Sequence, residues 1–185
     1  MKRLIVLALL LASFYSCAAT EARDGTSSER PMSFGAELQV YPAGVIVTGH
    51  ARHTISETDS LYLRAGYNIT DRQGFGEHEN EEGDGPGLGI GWRRNVSPGA
   101  DEGWLYGARM DLFFLEIDWE DPMRSNASDI VVLQPAIEGG YGWNLGGGRI
   151  ELTATFGVEI NIHTDGEDVG EGAIGLLGVT YMFGR

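Results

Sequence analysis

The chain has 185 residues, 28 of them glycine, and a formal net charge of −14 from 13 basic and 27 acidic residues. That length fits one domain, and the acidic balance excludes a nucleic-acid partner held by a basic surface. Cys17 is the only cysteine, so an intrachain disulfide is excluded as well.

The first element reads as an export signal over residues 1–18. Lys2 and Arg3 precede the apolar run Leu4 to Leu11, and the small residues Ser16, Cys17, Ala18 and Ala19 suit cleavage. The run is short for a membrane-spanning helix, and no later segment is long and apolar enough to be one. Cys17 leaves open a lipoprotein signal, although Phe14 stands where a lipobox usually carries leucine. Residues 19–32 are polar and aperiodic, as in a disordered leader.

Eight segments with a period of two follow within residues 33–185, and successive side chains of a strand face opposite sides. Phe34 to Tyr41 sets Phe34, Ala36, Leu38 and Val40 against Gly35, Glu37, Gln39 and Tyr41. After a tight turn at Pro42-Ala43-Gly44, Val45 to Ile55 returns with Ile46, Thr48, His50, Arg52 and Thr54 on its wetter face. Leu61 to Ile69 opposes Leu61, Leu63, Ala65, Tyr67 and Ile69 to Tyr62, Arg64, Gly66 and Asn68. Gly87 to Arg94 alternates Leu88, Ile90 and Trp92 with Gly89, Gly91 and Arg93.

The fifth segment, Trp104 to Trp119, starts with Trp104, Tyr106, Ala108, Met110 and Leu112 outward and Arg109 and Asp111 inward. Leu115, Ile117 and Trp119 then become the apolar set, which predicts a β-bulge near Phe113-Phe114 that restores them to the outside. In the sixth, Val131 to Leu145, Leu133, Ile137, Tyr141 and Trp143 oppose Gln134, Glu138 and Asn144, and Pro135 predicts a bulge or broken pairing. Ile150 to Ile162 alternates throughout, with Glu151 and Glu159 on the wet face. Ala173 to Phe183 exposes Leu177, Val179, Tyr181 and Phe183.

Period two alone also fits a soluble β-sandwich. The repeated charges on the wet face, behind an export signal, point instead to an all-β fold: an eight-stranded antiparallel up-and-down transmembrane β-barrel. With the N-terminus on the inner side, the outer loops hold Asp71 to Gly85, Glu120 to Asp129 and Thr164 to Gly172. The inner turns hold Ser56 to Ser60, Asn95 to Gly103 and Gly146 to Gly148. Phe34, Trp92, Trp104, Tyr106, Tyr141, Trp143, Tyr181 and Phe183 then share the inner apolar rim, where aromatic rings suit a headgroup belt. Tyr67 and Trp119 would begin an outer belt.

Glu37, Asp111, Glu138, Glu151 and Glu159 lie on the wet face with His50, Arg52, Arg64, Arg93 and Arg109. The interior of an eight-stranded barrel is only wide enough for side chains. Charges there must pair, so an arginine–carboxylate network filling the lumen is expected. Glycine-rich strand four would make room for it.

The acidic outer loops carry oxygen donors that a hard cation could use, with Glu77, Glu79, Asp165, Glu167 and Asp168 as candidates, but no EF-hand spacing is present. Asn68, Asn95 and Asn126 open glycosylation triplets that occur by chance in such a chain. Gly85-Pro86-Gly87-Leu88-Gly89 is a strand-initiating run, not a phosphate cradle, since no helix follows. No cofactor is expected.

The signal, the alternating segments and the closing Leu177-Gly178-Val179-Thr180-Tyr181-Met182-Phe183 resemble the small bacterial outer-membrane barrels of the OmpA, OmpX and OmpW type, over nearly all of the mature chain. The resemblance implies location in the bacterial outer membrane, a monomer surrounded by outer-membrane lipid, and sequential strand pairing with strand one closing on strand eight. It also implies insertion by the barrel-assembly machinery, which would read the aromatic-ended last strand; here Gly184 and Arg185 follow Phe183. Three functions are compatible: a non-enzymatic structural or surface-interaction barrel with an unidentified surface ligand, a narrow channel for small solutes, or a lipid A-modifying enzyme. For the last, His163 lies by parity inside the barrel, without the serine two residues on that such deacylases carry.

Overall fold

The computed structural model describes residues 32–74, 76–97 and 102–183. The signal, Cys17, the leader up to residue 31 and the terminal Gly184-Arg185 lie outside the described residues.

Eight strands follow one another: β1 (Met32–Tyr41), β2 (Gly44–Thr54), β3 (Asp59–Gln73), β4 (Asn80–Asn95), β5 (Gly103–Asp121), β6 (Arg124–Leu145), β7 (Gly148–Asp165) and β8 (Gly172–Phe183). Each pairs antiparallel with its neighbours in sequence order, and β1 pairs with β8 from Phe34↔Phe183 to Val40↔Leu177, closing the barrel. Met32, expected in the leader, already pairs with His53.

The ring is lopsided. The β1–β2 hairpin is short, whereas β3 to β7 run 15 to 22 residues. Much of what the sequence suggests as outer loop is therefore strand. The expected loop Asp71 to Gly85 shrinks to 74–79, and Glu120 to Asp129 shrinks to the two-residue turn Pro122-Met123. On the inner side Leu145 and Gly148 face across Gly146 and Gly147, whose φ angles of 60° and 85° form the primed turn that suits strand twist.

No bulge interrupts β5. It pairs with β6 in one register from Gly103↔Gly142 to Asp121↔Arg124, and its burial alternates throughout. Phe113, Leu115, Ile117 and Trp119 consequently point inward, where each is at most 3% exposed, while Glu116, Asp118 and Glu120 face out. Trp119 is not part of an outer aromatic belt. The polarity inverts because the tall side of the barrel continues past the apolar band: above it the outside is water, and the strand follows the soluble rule of apolar in and charged out.

The irregularities fall elsewhere. β7 gains one residue at Ile162, between the pairs Val131↔His163 and Val132↔Asn161. This bulge turns His163 to the exposed outer face, not to the lumen its parity suggests. Pro135 pairs with Met110 on β5, but the ladder to β7 skips Gln134 and Pro135, as a missing N–H requires.

The barrel thus has two interiors. The inner part is polar and ringed outside by apolar side chains, including Leu63, Ile90, Ile137, Phe156 and Leu177, each more than half exposed. An apolar surface of that extent is untenable in water and correct in lipid. The aromatic rim closes its lower edge with edge-to-face contacts Trp92–Tyr106, Trp104–Tyr141 and Tyr181–Phe183, at centroid distances of 5.8, 5.3 and 5.1 Å. The outer part holds an apolar cluster of Ile46, Phe113, Leu115, Ile117, Trp119, Ile130, Val132, Val169, Ile174 and Leu176.

Candidate functional site: the charged lumen and its cap

Alternation places the lumen side chains. Glu37 on β1, His50 and Arg52 on β2, Arg64 on β3, Arg93 on β4, Arg109 and Asp111 on β5, Glu138 on β6, and Glu151 and Glu159 on β7 all point inward and are buried.

Glu151 is the inner hub. Arg52 donates to both of its oxygens at 2.8 and 2.7 Å, Arg149 approaches at 3.1 Å, and Arg93 adds a third guanidinium. Arg93 also bonds Glu138 through Nε at 2.8 Å, and the Tyr62 hydroxyl donates to the same carboxylate at 3.0 Å. Arg109 lies 3.1 Å from Asp111 and 3.8 Å from Glu138. Arg64 spans Glu37 at 3.2 Å and Asp111 at 3.4 Å, and it shares Gln39 Oε1 with Arg109. His50 Nε2 sits 3.0 Å from Glu37, with its ring stacked on Tyr62 at 5.4 Å. Planar guanidinium forks suit such bridging, since each can serve two carboxylates in fixed geometry.

Glycine on β4 makes the space. A methyl group at Gly91 would overlap the Tyr62 ring, and one at Gly89 would overlap the Asp111 carboxylate. Gly91→Ala is therefore expected to destabilise the barrel by about 1–3 kcal/mol through overpacking. Urea unfolding of the refolded protein measures this; a cost near zero would mean Tyr62 has room to move.

Glu159 belongs to a second assembly nearer the outer mouth. Arg72 donates to Glu159 at 2.7 Å, to Glu81 at 3.1 Å and to the Gly170 carbonyl at 2.6 Å, and Gln134 donates to Glu159 at 2.7 Å. Glu81 is fully buried, and its carboxylate accepts the backbone N–H groups of Glu77 at 2.7 Å, His78 at 3.1 Å and Gly170 at 3.0 Å. One carboxylate thus ties the loop 74–79 to the loop 166–171.

His78 adds a second tie. Its ring stacks on Trp119 at 4.1 Å, Nδ1 lies 3.0 Å from Asp121, and Nε2 lies 3.0 Å from the Asp168 carbonyl. The His78 hydrogen bond holds the Asp121 carboxyl below its usual range. Arg124 covers the other side of the cap with its guanidinium 5.2 Å from the Trp119 ring, 3.3 Å from Asp121 and 2.8 Å from Glu167.

At the inner end, Asp59 accepts from Arg94 at two oxygens, each at 2.8 Å, and from Trp92 Nε1 at 3.0 Å. The Arg94 bond leads in holding its carboxyl well below the ordinary range. A depressed value means this clamp is intact above the unfolded pKa and lost only as pH falls through the folded one.

Sequence reasoning misses Arg72, Glu81 and Arg149. All three continue the alternation of their strands, β3 past Asn68, β4 above Gly87 and β7 below Glu151, but they lie where the acidic stretches or turns read as loop. The suggested cation ligands do not converge. Glu77, Glu79, Asp165, Glu167 and Asp168 are spread over two loops and the end of β7, and no group of three or more metal-ligating side chains is found among the described residues.

No family model matches the chain, and no curated protein matches it in sequence. Solved structures with a similar fold include two bacterial proteins. The N-terminal β-barrel domain of Pseudomonas aeruginosa OprF is 12% identical with a TM-score of 0.51, covering 84% of this chain and 98% of that one. Neisserial surface protein A is 11% identical with a TM-score of 0.52, covering 83% of this chain and 94% of that one. The chain has the fold of the small outer-membrane β-barrels.

Proposed function

We propose that this chain is a sealed, non-enzymatic barrel of the bacterial outer membrane. It stands in outer-membrane lipid and presents a rigid, acidic crown at the cell surface, in a structural or surface-interaction role. The observation that carries the reading is the change of polarity along β5: one unbroken strand is apolar outside at Met110 and Phe114 and acidic outside at Glu116, Asp118 and Glu120. A wall that meets lipid below and water above explains both halves. The same proposal includes insertion by the barrel-assembly machinery and a monomeric state, as the resemblance to small outer-membrane barrels implies.

The lumen network acts as a structural filling. Arg52, Arg64, Arg72, Arg93, Arg109 and Arg149 face Glu37, Glu81, Asp111, Glu138, Glu151 and Glu159, a balanced set of charges. The apolar cluster in the outer part of the barrel and the cap tied by Glu81 and His78 argue against a solute path. Protein refolded into planar bilayers is expected to give no steady single-channel steps; regular steps would restore the channel reading.

A lipid-modifying activity has less support. His163 stands on the outer face and makes no hydrogen bond to a serine or threonine hydroxyl among the described residues, whereas a nucleophile needs a base within reach.

A further inference from the structure

Where the apolar band meets the crown, a groove of about 340 Å³ is cut into the outer wall from β3 to β7, with Tyr67 and the His163 imidazole among its lining side chains. Its floor is Pro86, Phe114 and Val131, and its upper rim is Asp84, Glu116 and Asp129. Rim and floor residues are two positions apart on each of β4, β5 and β6, so each of these strands offers a carboxylate above an apolar group on one face. The β4–β5 ladder omits Gly85 and Pro86, which interrupts the wall there.

The rim residues are direct cross-strand partners: Asp84 pairs with Glu116, and Glu116 with Asp129. Like charges placed opposite one another destabilise a sheet. The Tyr67 hydroxyl donates to Asp84, while Glu116 and Asp129 have no hydrogen-bond or ion-pair partner among the described residues. A positive group over Glu116 and Asp129 would offset the repulsion, and the floor below would take hydrocarbon.

We propose that this groove docks an outer-leaflet lipid whose headgroup carries a free amine. The ammonium bonds the rim carboxylates by charge-assisted hydrogen bonds, and an acyl chain lies on Phe114 and Val131. An anionic headgroup is repelled by the rim. The proposal rests on the membrane reading above, and its test separates the two.

The full chain is refolded into vesicles with equal parts of phosphatidylethanolamine, its N-acetylated form and phosphatidylglycerol. Co-sedimentation and a gel shift on boiling report membrane entry. Native mass spectrometry of the released protein then reports which lipid is retained. A several-fold preference for phosphatidylethanolamine is expected, lost in the double variant Glu116→Gln, Asp129→Gln, whose gel shift confirms that it folds. Equal retention of all three lipids, or a preference that survives in the variant, overturns the proposal. Retention of phosphatidylglycerol that requires added Mg²⁺ also overturns it, in favour of a metal bridge to phosphate. Failure to enter vesicles overturns the membrane reading and the groove with it.

Discussion

Glu151→Gln is expected to cost the barrel about 3–5 kcal/mol, the range for breaking a buried ion pair by removing one partner. Arg52, Arg93 and Arg149 all converge on this carboxylate. The amide keeps the volume and one acceptor oxygen, but it leaves three guanidiniums without their shared counter-charge in a lumen too narrow for bulk water. Asp118→Asn is the matching control. Its side chain stands on the exposed outer wall of β5, so a change within about 0.5 kcal/mol is expected. Urea titration of both variants in the same vesicles makes the comparison. If Glu151→Gln costs no more than Asp118→Asn, the lumen charges do not hold the strands together.

Trp119→Ala is expected to cost about 3–5 kcal/mol, and Ile117→Ala about 2–5 kcal/mol, as large-to-small changes in a packed interior do. Trp119 is the centre of the outer cluster: its ring carries His78 on one side and Arg124 near it, and its Nε1 donates to Ser128 at 3.2 Å. Losing it removes the platform on which the loop 74–79 rests. Phe114→Ala, one residue below Leu115 but facing outward, provides the contrast, because lipid can fill the space that a methyl leaves. A bulge at Phe113-Phe114 would reverse this order. Ile117→Ala would then be cheap and Phe114→Ala dear. The same order can be read with single cysteines, since one at 117 is expected to resist a water-soluble thiol reagent in the folded barrel while one at 118 reacts.

Both predictions separate what alternation can tell from what it cannot. Period two assigned Glu37, His50, Arg52, Arg64, Arg93 and Arg109 to one face because that face stays polar through the apolar band. It failed above the band for a definable reason. A reading that takes the apolar face as lipid-facing everywhere must insert a bulge when the apolar set changes phase, as at Leu115, Ile117 and Trp119. The strand did not slip; its surroundings changed. The same cause hid Arg72 and Glu81. Asp71, Glu82 and Asp84 decorate a wet outer wall, and an acidic run on a wet wall looks like a loop when the strand is assumed to end with the membrane. The bulge at Ile162 was hidden differently, since an inserted residue inside an apolar alternation leaves no mark on its composition.

The sequence by itself determined the number of strands, their order, the lipid-facing side of each through the apolar band, the inner aromatic rim and the identity of most lumen charges. These follow from side-chain alternation and from the cost of leaving an ion unpaired, both of which act residue by residue. Only the tertiary structure decided how far β3 to β7 rise beyond the band, that Trp119 and its neighbours fill the outer mouth, and that Glu81 ties the loop before it to Gly170, 89 positions further along the chain. Those outcomes depend on which strand stands beside which at a given height, and height above the bilayer is a property of the closed ring, not of any one segment.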